Sequence, residues 1–163
     1  MTLVPLTKGM VAIIDDADAE TVLVRKWYAM GGGRKSYYAA TGCGPKRISL
    51  HAFLMPLTLP LTVDHINGDG LDNRRENLRP ATKAQQMWNQ KGRRHGFKGV
   101  TWSSEPGSRL TAGGRWKAHI CVHGRRIVRW GAKTEREAAA LYNDLAREHF
   151  GDYARLNDLG VMS

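Results

Sequence analysis

The sequence predicts an α+β protein built from two small modules, and three observations lead to this class. Turn-forming glycines separate short β-rich pieces near the N-terminus. Residues 116–122 alternate apolar and polar side chains, which predicts a strand with one buried face. The box Thr134-x-x-Glu137 predicts a helix that runs to about Phe150, with Gly151 as its stop.

The N-terminal segment supplies the first predicted elements. We expect strands at 10–14, 36–41 and 47–53, and a helical turn that runs from Asp15 to about Trp27. Glycine clusters at 31–33 and 42–44 are the turn signals between the β-rich pieces. The first module is therefore β-rich at its start.

A polar loop, residues 65–76, leads into a helix candidate. Thr82 is a suitable N-cap for a helix that ends near Gln90, and residues 91–95 have the composition of a linker. We therefore divide the chain into a domain at 1–90, a linker at 91–95 and a second domain at 96–157.

The second domain reads as a small sheet with one helix. Its strand at 116–122 pairs with a strand at 125–130 across the turn His123-Gly124. The helix carries an apolar stripe, Ala138, Leu141, Tyr142 and Leu145, which packing under the sheet would bury. Lys117 and His119 would then point away from the buried face.

The positive charge of the chain is concentrated in one stretch. The 163 residues include 25 Lys and Arg against 15 Asp and Glu, a formal charge of +10. Residues 91–133 contain eleven of the bases and one acid, Glu105, and they are interleaved with Phe97, Trp102, Trp116 and Trp130. A solvated surface stripe would also explain such a block, but the aromatic residues indicate a folded surface, so nucleic acid is the leading partner.

Several classes of protein are disfavoured by the composition. The longest apolar stretch, 50–63, is interrupted by His51, Pro56 and Pro60, so it does not predict a membrane span. Two distant cysteines and no recognisable signal peptide favour a reducing, cytoplasmic setting. The lack of a Cys-x-x-Cys pair argues against a structural zinc site.

The run from Val63 to Gly70 carries the most chemical information. Asp64 and His65 are adjacent, so on a strand their side chains diverge, and one can bind a divalent cation while the other faces a substrate. A neutral imidazole can take a proton from water at pH 7, which suits phosphodiester hydrolysis. An isolated Asp-His pair is more often a simple turn, and the spacing does not fit an EF-hand.

From His51 to Asn89 the sequence resembles the HNH nucleases, in particular the branch of phage and intron-encoded homing endonucleases with an Asp-His pair and a trailing Asn-Leu-Arg. The resemblance implies a ββα-metal core at about 47–90. It implies that Asp64 is a metal ligand, His65 the general base and Asn77 the residue that braces the loop. The oxygen ligands of such a site favour Mg²⁺ or Mn²⁺.

The second metal ligand departs from the family pattern. The helix normally supplies an Asn or His, but here the equivalent position is Gln86, and Asn89 falls three residues later. Both remain candidates, because the longer Gln side chain loses more rotamer entropy on ligation. His51 matches the upstream histidine of the family, and we expect it to have a structural role or to contact a DNA phosphate rather than to act in catalysis.

Residues 96–157 resemble the Apetala-two/ethylene-response-factor DNA-binding domain, through Gly96–Trp102, Gly114–Ile120, Thr134–Ala139 and Ala154–Asn157 taken in order. The resemblance implies a three-stranded antiparallel sheet packed on one helix, with the sheet in the DNA major groove. Thr101 and Ser103 replace family arginines, so the readout of plant members does not carry over. The expected DNA contacts are Lys98, Arg115, Lys117, His119, Arg125, Arg126 and Arg129.

Together the two resemblances imply a divalent-metal-dependent DNA endonuclease of the phage or mobile-element type, tethered to a basic module that binds double-stranded DNA. Such a protein would work in the cytoplasm of a bacterial or phage-infected cell, as a monomer or a homodimer. One alternative is a DNA-binding or regulatory protein whose nuclease core has lapsed, because Gln86 departs from the pattern. An RNA-binding accessory protein would need only the basic patch.

Overall fold

The computed structural model describes residues 1–31, 36–92, 96–103 and 115–160, and it contains two compact units, Met1–Met87 and Trp88–Ser163. Helices and antiparallel sheets are mixed throughout these ranges, in agreement with the predicted α+β class. Residues 93–95 of the expected linker lie outside the described part of the chain. Within the described part, no helix has the length and apolar character needed to cross a membrane.

The first unit consists of short strands and helices around one apolar core. Its strands are β1 (Thr2–Pro5), β2 (Val11–Ile14), β3 (Tyr28–Gly31), β4 (Tyr37–Thr41), β5 (Ile48–Ser49), β6 (Thr62–His65) and β7 (Leu78–Ala81), and its helices are α1 (Ala19–Leu23), α2 (Leu50–Leu54) and the start of α3 (Lys83–Asn89). The strands pair antiparallel as β1–β2, β3–β4–β5 and β6–β7. The core includes Val4, Ile14, Leu50, Val63 and Leu78.

Two predictions for the first unit are wrong. The predicted strand at 47–53 is the two-residue strand β5 followed by α2, because Leu50 and Leu54 lie four residues apart and both enter the core. The predicted helical run from Asp15 to Trp27 contains only a 3-10 turn, Asp16–Asp18, and α1, and Trp27 is buried where its Nε1 donates to the carbonyl of Val22 at 2.9 Å. His51 therefore lies on a helix and not on a strand.

The predicted helix after Thr82 is confirmed as α3. The hydroxyl of Thr82 accepts a hydrogen bond from the backbone N–H of Gln85 at 3.3 Å, and the Gln85 side chain accepts from the backbone N–H of Thr82 at 2.8 Å. This reciprocal pair is a capping box, which satisfies backbone donors that the first helical turn would otherwise leave without partners.

The second unit is a three-stranded antiparallel sheet with one long helix. Strands β8 (Val100–Ser103), β9 (Arg115–Val122) and β10 (Arg125–Ala132) lie in the order β10–β9–β8, and α4 (Glu135–Phe150) packs on the sheet. As predicted, the hydroxyl of Thr134 caps α4 by accepting from the N–H of Glu137 at 3.1 Å, and Gly151 ends it at φ +52°.

The core of the second unit lies between one face of the sheet and α4. Ala118 and Ile120 of β9 are buried against Tyr142, Leu145 and other side chains of the helix, so this face is closed. Residues at the alternate positions of the strands lie on the opposite, open face of the sheet. The predicted apolar stripe of the helix is therefore where the sequence placed it.

Candidate active site and nucleic-acid interface

The Asp64-His65 pair lies at the end of a short β-hairpin in the first unit. Strand β6 pairs with β7 so that Asp64 is opposite Arg79 and His65 is opposite Leu78. Helix α3 follows β7 directly, which gives the order strand, strand, helix. Val63, Asp64 and His65 are all buried, so the chemical groups are held on a rigid element rather than on a loop.

The loop between β6 and β7 is braced by Asn77. Its Oδ1 accepts a hydrogen bond from the backbone N–H of Asn67 at 2.9 Å, and its Nδ2 donates to Asn67 Oδ1 at 3.1 Å and to the carbonyl of Asp72 at 2.7 Å. Asn77 is only 6% exposed. A single buried amide thus connects both sides of the loop that begins at His65.

The same loop is also attached to the N-terminal strands. The backbone N–H of Ile13 in β2 donates a hydrogen bond to the carbonyl of Leu71, and the carbonyl of Ile13 accepts one from the N–H of Asn73, both at 2.8 Å. The Arg75 guanidinium binds both carboxylate oxygens of Asp18, at 2.6 and 3.0 Å. These contacts join parts of the chain more than fifty residues apart, as the 57-residue separation of Arg75 and Asp18 illustrates.

His65 is oriented by Asn73, a residue that sequence reasoning missed. Asn73 is fully buried, and its Nδ2 donates to the carbonyl of Gly70, so its Oδ1 is the acceptor that faces His65 Nε2 at 3.3 Å. This contact orients the His65 ring, with Nε2 facing the Asn73 amide. The only sequence signal for Asn73 is that it is an amide near the polar loop, and Asn67 and Asn77 give the same signal.

The His65 imidazole is kept neutral by its surroundings. Burial lowers its pKa below the usual value, although the hydrogen bond to Asn73 and the charges of Asp64, Asp69 and Asp72 act in the opposite direction. A neutral imidazole at pH 7 has one unprotonated ring nitrogen, which can accept a proton. The site therefore holds the form of histidine that a general base requires.

His51 packs directly against the His65 ring. The two rings meet edge to face with centroids 5.0 Å apart, and Tyr38 borders both, at 5.6 Å from His51 and 5.9 Å from His65. His51 Nε2 lies 2.8 Å from Ser49 Oγ, and within the described residues its buried Nδ1 has no hydrogen-bond partner. Burial, followed by the neighbouring His65, lowers the pKa of His51 to about 4.

The Asp64 carboxylate holds a guanidinium. Arg79 Nε and Nη2 donate to Asp64 Oδ2 at 3.0 and 2.9 Å, and the side chains of Arg79 and Asp64 are 14% and 11% exposed. The register of the hairpin causes this pairing, because directly opposite residues project from the same face. The residue expected to bind a metal thus has a cationic partner from its own hairpin.

Gln86 and Asn89 occupy different environments. Gln86 Nε2 donates to Thr62 Oγ1 at 2.8 Å and to the carbonyl of Val63 at 3.0 Å, which fixes the side chain on the strand that carries Asp64. Asn89 is the last residue of α3, is buried, and belongs to the second unit. Among the described residues, no three His, Cys, Asp or Glu side chains are grouped so that they could hold a metal ion.

The open face of the sheet in the second unit carries several of the expected DNA-binding residues. Arg115, Lys117 and His119 alternate on that side of β9, and the register adds Arg126 and Trp130 of β10. Lys117 Nζ lies 4.3 Å from the centroid of the Trp130 ring, which is 53% exposed. Burial, then the charges of Arg126 and Lys117, lowers the pKa of His119.

The other three expected DNA-binding residues are placed differently. Arg125 and Arg129 lie opposite Val122 and Ala118, on the side of the sheet that faces α4, and Arg129 binds Glu148 at 2.9 Å. Lys98 Nζ donates to the backbone carbonyls of Trp88 and Gln90, and burial lowers its pKa to about 8. Lys98 thus binds carbonyl oxygens near the end of α3.

Comparison with known proteins gives two matches to one family. Residues 58–88 match the family model described as HNH endonuclease. An uncharacterized HNH endonuclease of Acanthamoeba polyphaga mimivirus is 29% identical over 164 aligned residues, which cover 97% of this chain and 80% of the viral protein. No solved structure matches the chain. Both matches show that the chain is similar to HNH endonucleases, and the residues that the family model matches include the hairpin and most of the helix of the site.

Proposed function

From the HNH endonuclease match over residues 58–88 and the geometry of the hairpin, we propose that this protein is a divalent-metal-dependent endonuclease that hydrolyses phosphodiester bonds in DNA. The observation that carries the proposal is the buried, neutral His65, oriented through Nε2 by Asn73 and adjacent to a carboxylate. This arrangement holds a base and an acidic ligand at fixed positions, as hydrolysis of a phosphodiester requires.

In this proposal the unprotonated nitrogen of the His65 ring takes a proton from the attacking water. Asn77 and Asn73 act as positioning residues, Asn77 through the loop and Asn73 through the His65 ring. His51 contributes a second neutral imidazole that packs against the base. Two neutral rings in contact avoid the repulsion that two imidazolium ions would impose.

The oxygen donors available suit Mg²⁺ or Mn²⁺. Asp64 supplies a carboxylate and Gln86 an amide oxygen, which are hard ligands, and Mg²⁺ usually takes few protein ligands and retains several waters. Gln86 is preferred over Asn89 because its hydrogen bonds hold it on the Asp64 strand. When bound, the ion would supply positive charge for the scissile phosphate and the departing oxygen.

The second unit is proposed as the DNA-binding module, with an Apetala-two-like character. Its three-stranded sheet on one helix supports this assignment, as do the cations and the exposed Trp130 on the open face. The domain limits proposed from the sequence are 1–90 and 96–157, joined by 91–95, whereas the compact units of the structure divide between Met87 and Trp88. A linker raises the effective concentration of DNA at the nuclease domain without any new contact.

A cleavage assay tests the proposed function. Supercoiled plasmid is incubated with the protein in Mg²⁺ or Mn²⁺, and the His65→Ala variant is compared with His149→Ala, which removes an imidazole from α4. Loss of a general base lowers the rate by about 10²–10⁴-fold. We expect that loss only for His65→Ala, with DNA binding retained in a gel-shift assay. An equal rate for His65→Ala and wild type would contradict the proposal.

A second candidate function is a DNA-binding protein whose nuclease centre has lapsed. The ion pair between Asp64 and Arg79 favours it, because the proposed ligand already holds a cation. This candidate predicts binding to duplex DNA that is independent of divalent cations, with no cleavage in either metal. The same plasmid and gel-shift assays therefore separate the two functions.

A further inference from the structure

The arginine that binds Asp64 is less exposed to solvent than the arginines that bind the other buried acids of the first unit. Asp18, Asp64 and Asp72 are all buried, and each binds an arginine. The side chains of Arg75 and Arg74, which bind Asp18 and Asp72, are 58% and 34% exposed, whereas that of Arg79 is only 14% exposed. The Asp64–Arg79 pair is thus the most enclosed of the three, and it is the pair next to His65.

Enclosure makes the positive charge of Arg79 important to Asp64. A buried carboxylate is strongly disfavoured unless a cation or several donors compensate it, and Arg79 supplies two N–H donors to one oxygen. A guanidinium remains protonated in proteins, so it cannot lose its charge when a second cation arrives. A divalent ion at the Asp64 carboxylate would therefore be repelled by Arg79.

A DNA phosphate would relieve this repulsion. Arginine binds phosphate oxygens through the same two-pronged geometry that it uses for carboxylates. The oxygens of a phosphate that reaches the hairpin can accept hydrogen bonds from the Arg79 guanidinium, and the Asp64 carboxylate then becomes available to a divalent ion. The enclosed ion pair and the chemistry of arginine together connect binding of the ion to binding of the DNA.

We propose that Arg79 is the resident counter-cation of Asp64, and that it makes divalent-ion binding at Asp64 dependent on DNA. The inference rests on the proposed function, since it takes Asp64 as the ligand of the ion. Arg79 is accordingly a positioning residue that acts on metal affinity, and it prevents the site from holding an ion tightly when no DNA is present.

The test measures Mn²⁺ affinity by isothermal titration of the full chain, with and without a short mixed-sequence duplex. All proteins carry His65→Ala, so that the duplex stays intact during the titration. Arg79→Gln is compared with this parent, with Asp64→Asn, and with Arg47→Gln, which removes the same charge from an exposed arginine of the first unit.

Without DNA we expect Arg79→Gln to bind Mn²⁺ about tenfold more tightly than the parent, because a unit charge beside the ion is removed. The duplex should tighten Mn²⁺ binding by the parent and by Arg47→Gln, and it should have much less effect on Arg79→Gln. Asp64→Asn should bind Mn²⁺ weakly in both conditions. Circular dichroism establishes that each variant is folded.

Two results would overturn the inference: Arg79→Gln binds Mn²⁺ no more tightly than the parent, or it keeps the full effect of DNA. If Arg79→Gln does not fold, the titrations of the His65→Ala parent still test the inference. A parent whose Mn²⁺ affinity is the same with and without DNA also rejects it. These failures leave the proposed function intact if the chain with native His65 cleaves plasmid. Absence of both cleavage and Mn²⁺ binding rejects the two together.

Discussion

The two units use charge in opposite ways. In the first unit, all the buried acids of the described chain, Asp18, Asp64 and Asp72, lie within or against the hairpin and its loop, each bound to an arginine. Among the described residues of the second unit, the buried polar ones are two amides, Asn89 and Asn143, and cations line an open sheet face. Buried charge fixes groups in place, whereas surface charge attracts a polyanion from solution.

Under the proposed function, this contrast corresponds to a division of labour between the units. Groups that perform chemistry must be held at fixed positions by buried neighbours, and the first unit meets this requirement around His65. Groups that bind a DNA backbone need charge and access rather than exact placement, and the second unit provides both. The variants below test whether the two requirements are really separated between the units.

Among the variants that compare the two units, Asn73→Ala is expected to have the largest effect. Without the Asn73 amide, His65 loses the contact that orients its ring, so plasmid cleavage should fall by about 10–100-fold, as for other residues that orient a reacting group. The rate is measured at saturating protein, so that it does not report DNA affinity.

The matched control is Asn143→Ala in the second unit. Asn143 is also buried, and its side chain exchanges two hydrogen bonds with the backbone of Asn157, at 2.7 and 3.0 Å. Its removal should destabilise that unit by about 1–3 kcal/mol while cleavage at saturation stays near wild type. Equal losses of cleavage in both variants would contradict the separation.

The second effect is a loss of stability in acid. The pKa of His51 is about 4 when folded and near 6.5 when unfolded, so between these values the unfolded chain binds more protons and stability falls as the pH falls. From pH 7 to pH 4 this one group should cost about 2–3 kcal/mol, measured by urea unfolding. His51→Gln should remove that part of the pH dependence, whereas His149→Gln should leave it. An unchanged pH dependence in His51→Gln would show that burial of this ring is not its source.

The smallest effects concern the salt dependence of DNA binding. Lys117→Ala and Arg126→Ala should each weaken DNA binding modestly and reduce the slope of log K against log salt by about one, because each would remove one proposed phosphate contact. Arg129→Ala is the comparison, since Arg129 binds Glu148 on the side of the sheet that faces α4. If Arg129→Ala lowers the slope as much as Lys117→Ala, the open face does not bind the DNA.

The elements that were predicted correctly have local causes. The caps of α3 and α4 depend on Thr82 and Thr134 and on the residues three positions later. The hairpin of β9 and β10 depends on His123-Gly124, and both residues have a positive φ. Such features involve neighbours in the chain, so a pattern of residues is enough to find them.

The errors and omissions arise where distant parts of the chain meet. The sequence predicts a strand at 47–53 as one of several short β-rich pieces between glycine turns. The spacing of Leu50 and Leu54 favours a helix only when both side chains enter a core built from other segments. The attachment of the loop to Ile13 was equally invisible, since nothing near residue 73 in the sequence indicates a bond to a strand sixty residues earlier.

The sequence by itself determined the α+β class, the helix caps, the basic character of residues 91–133 and the Asp64-His65 pair as the chemical centre of interest. Only the tertiary structure decided that Asn73 orients His65, that Arg79 neutralises Asp64, and which cations share the open face of the sheet. The physical reason is that composition is read directly from the sequence, and local hydrogen bonds form between residues that are neighbours in it. Burial and charge pairing depend on which distant segments pack together.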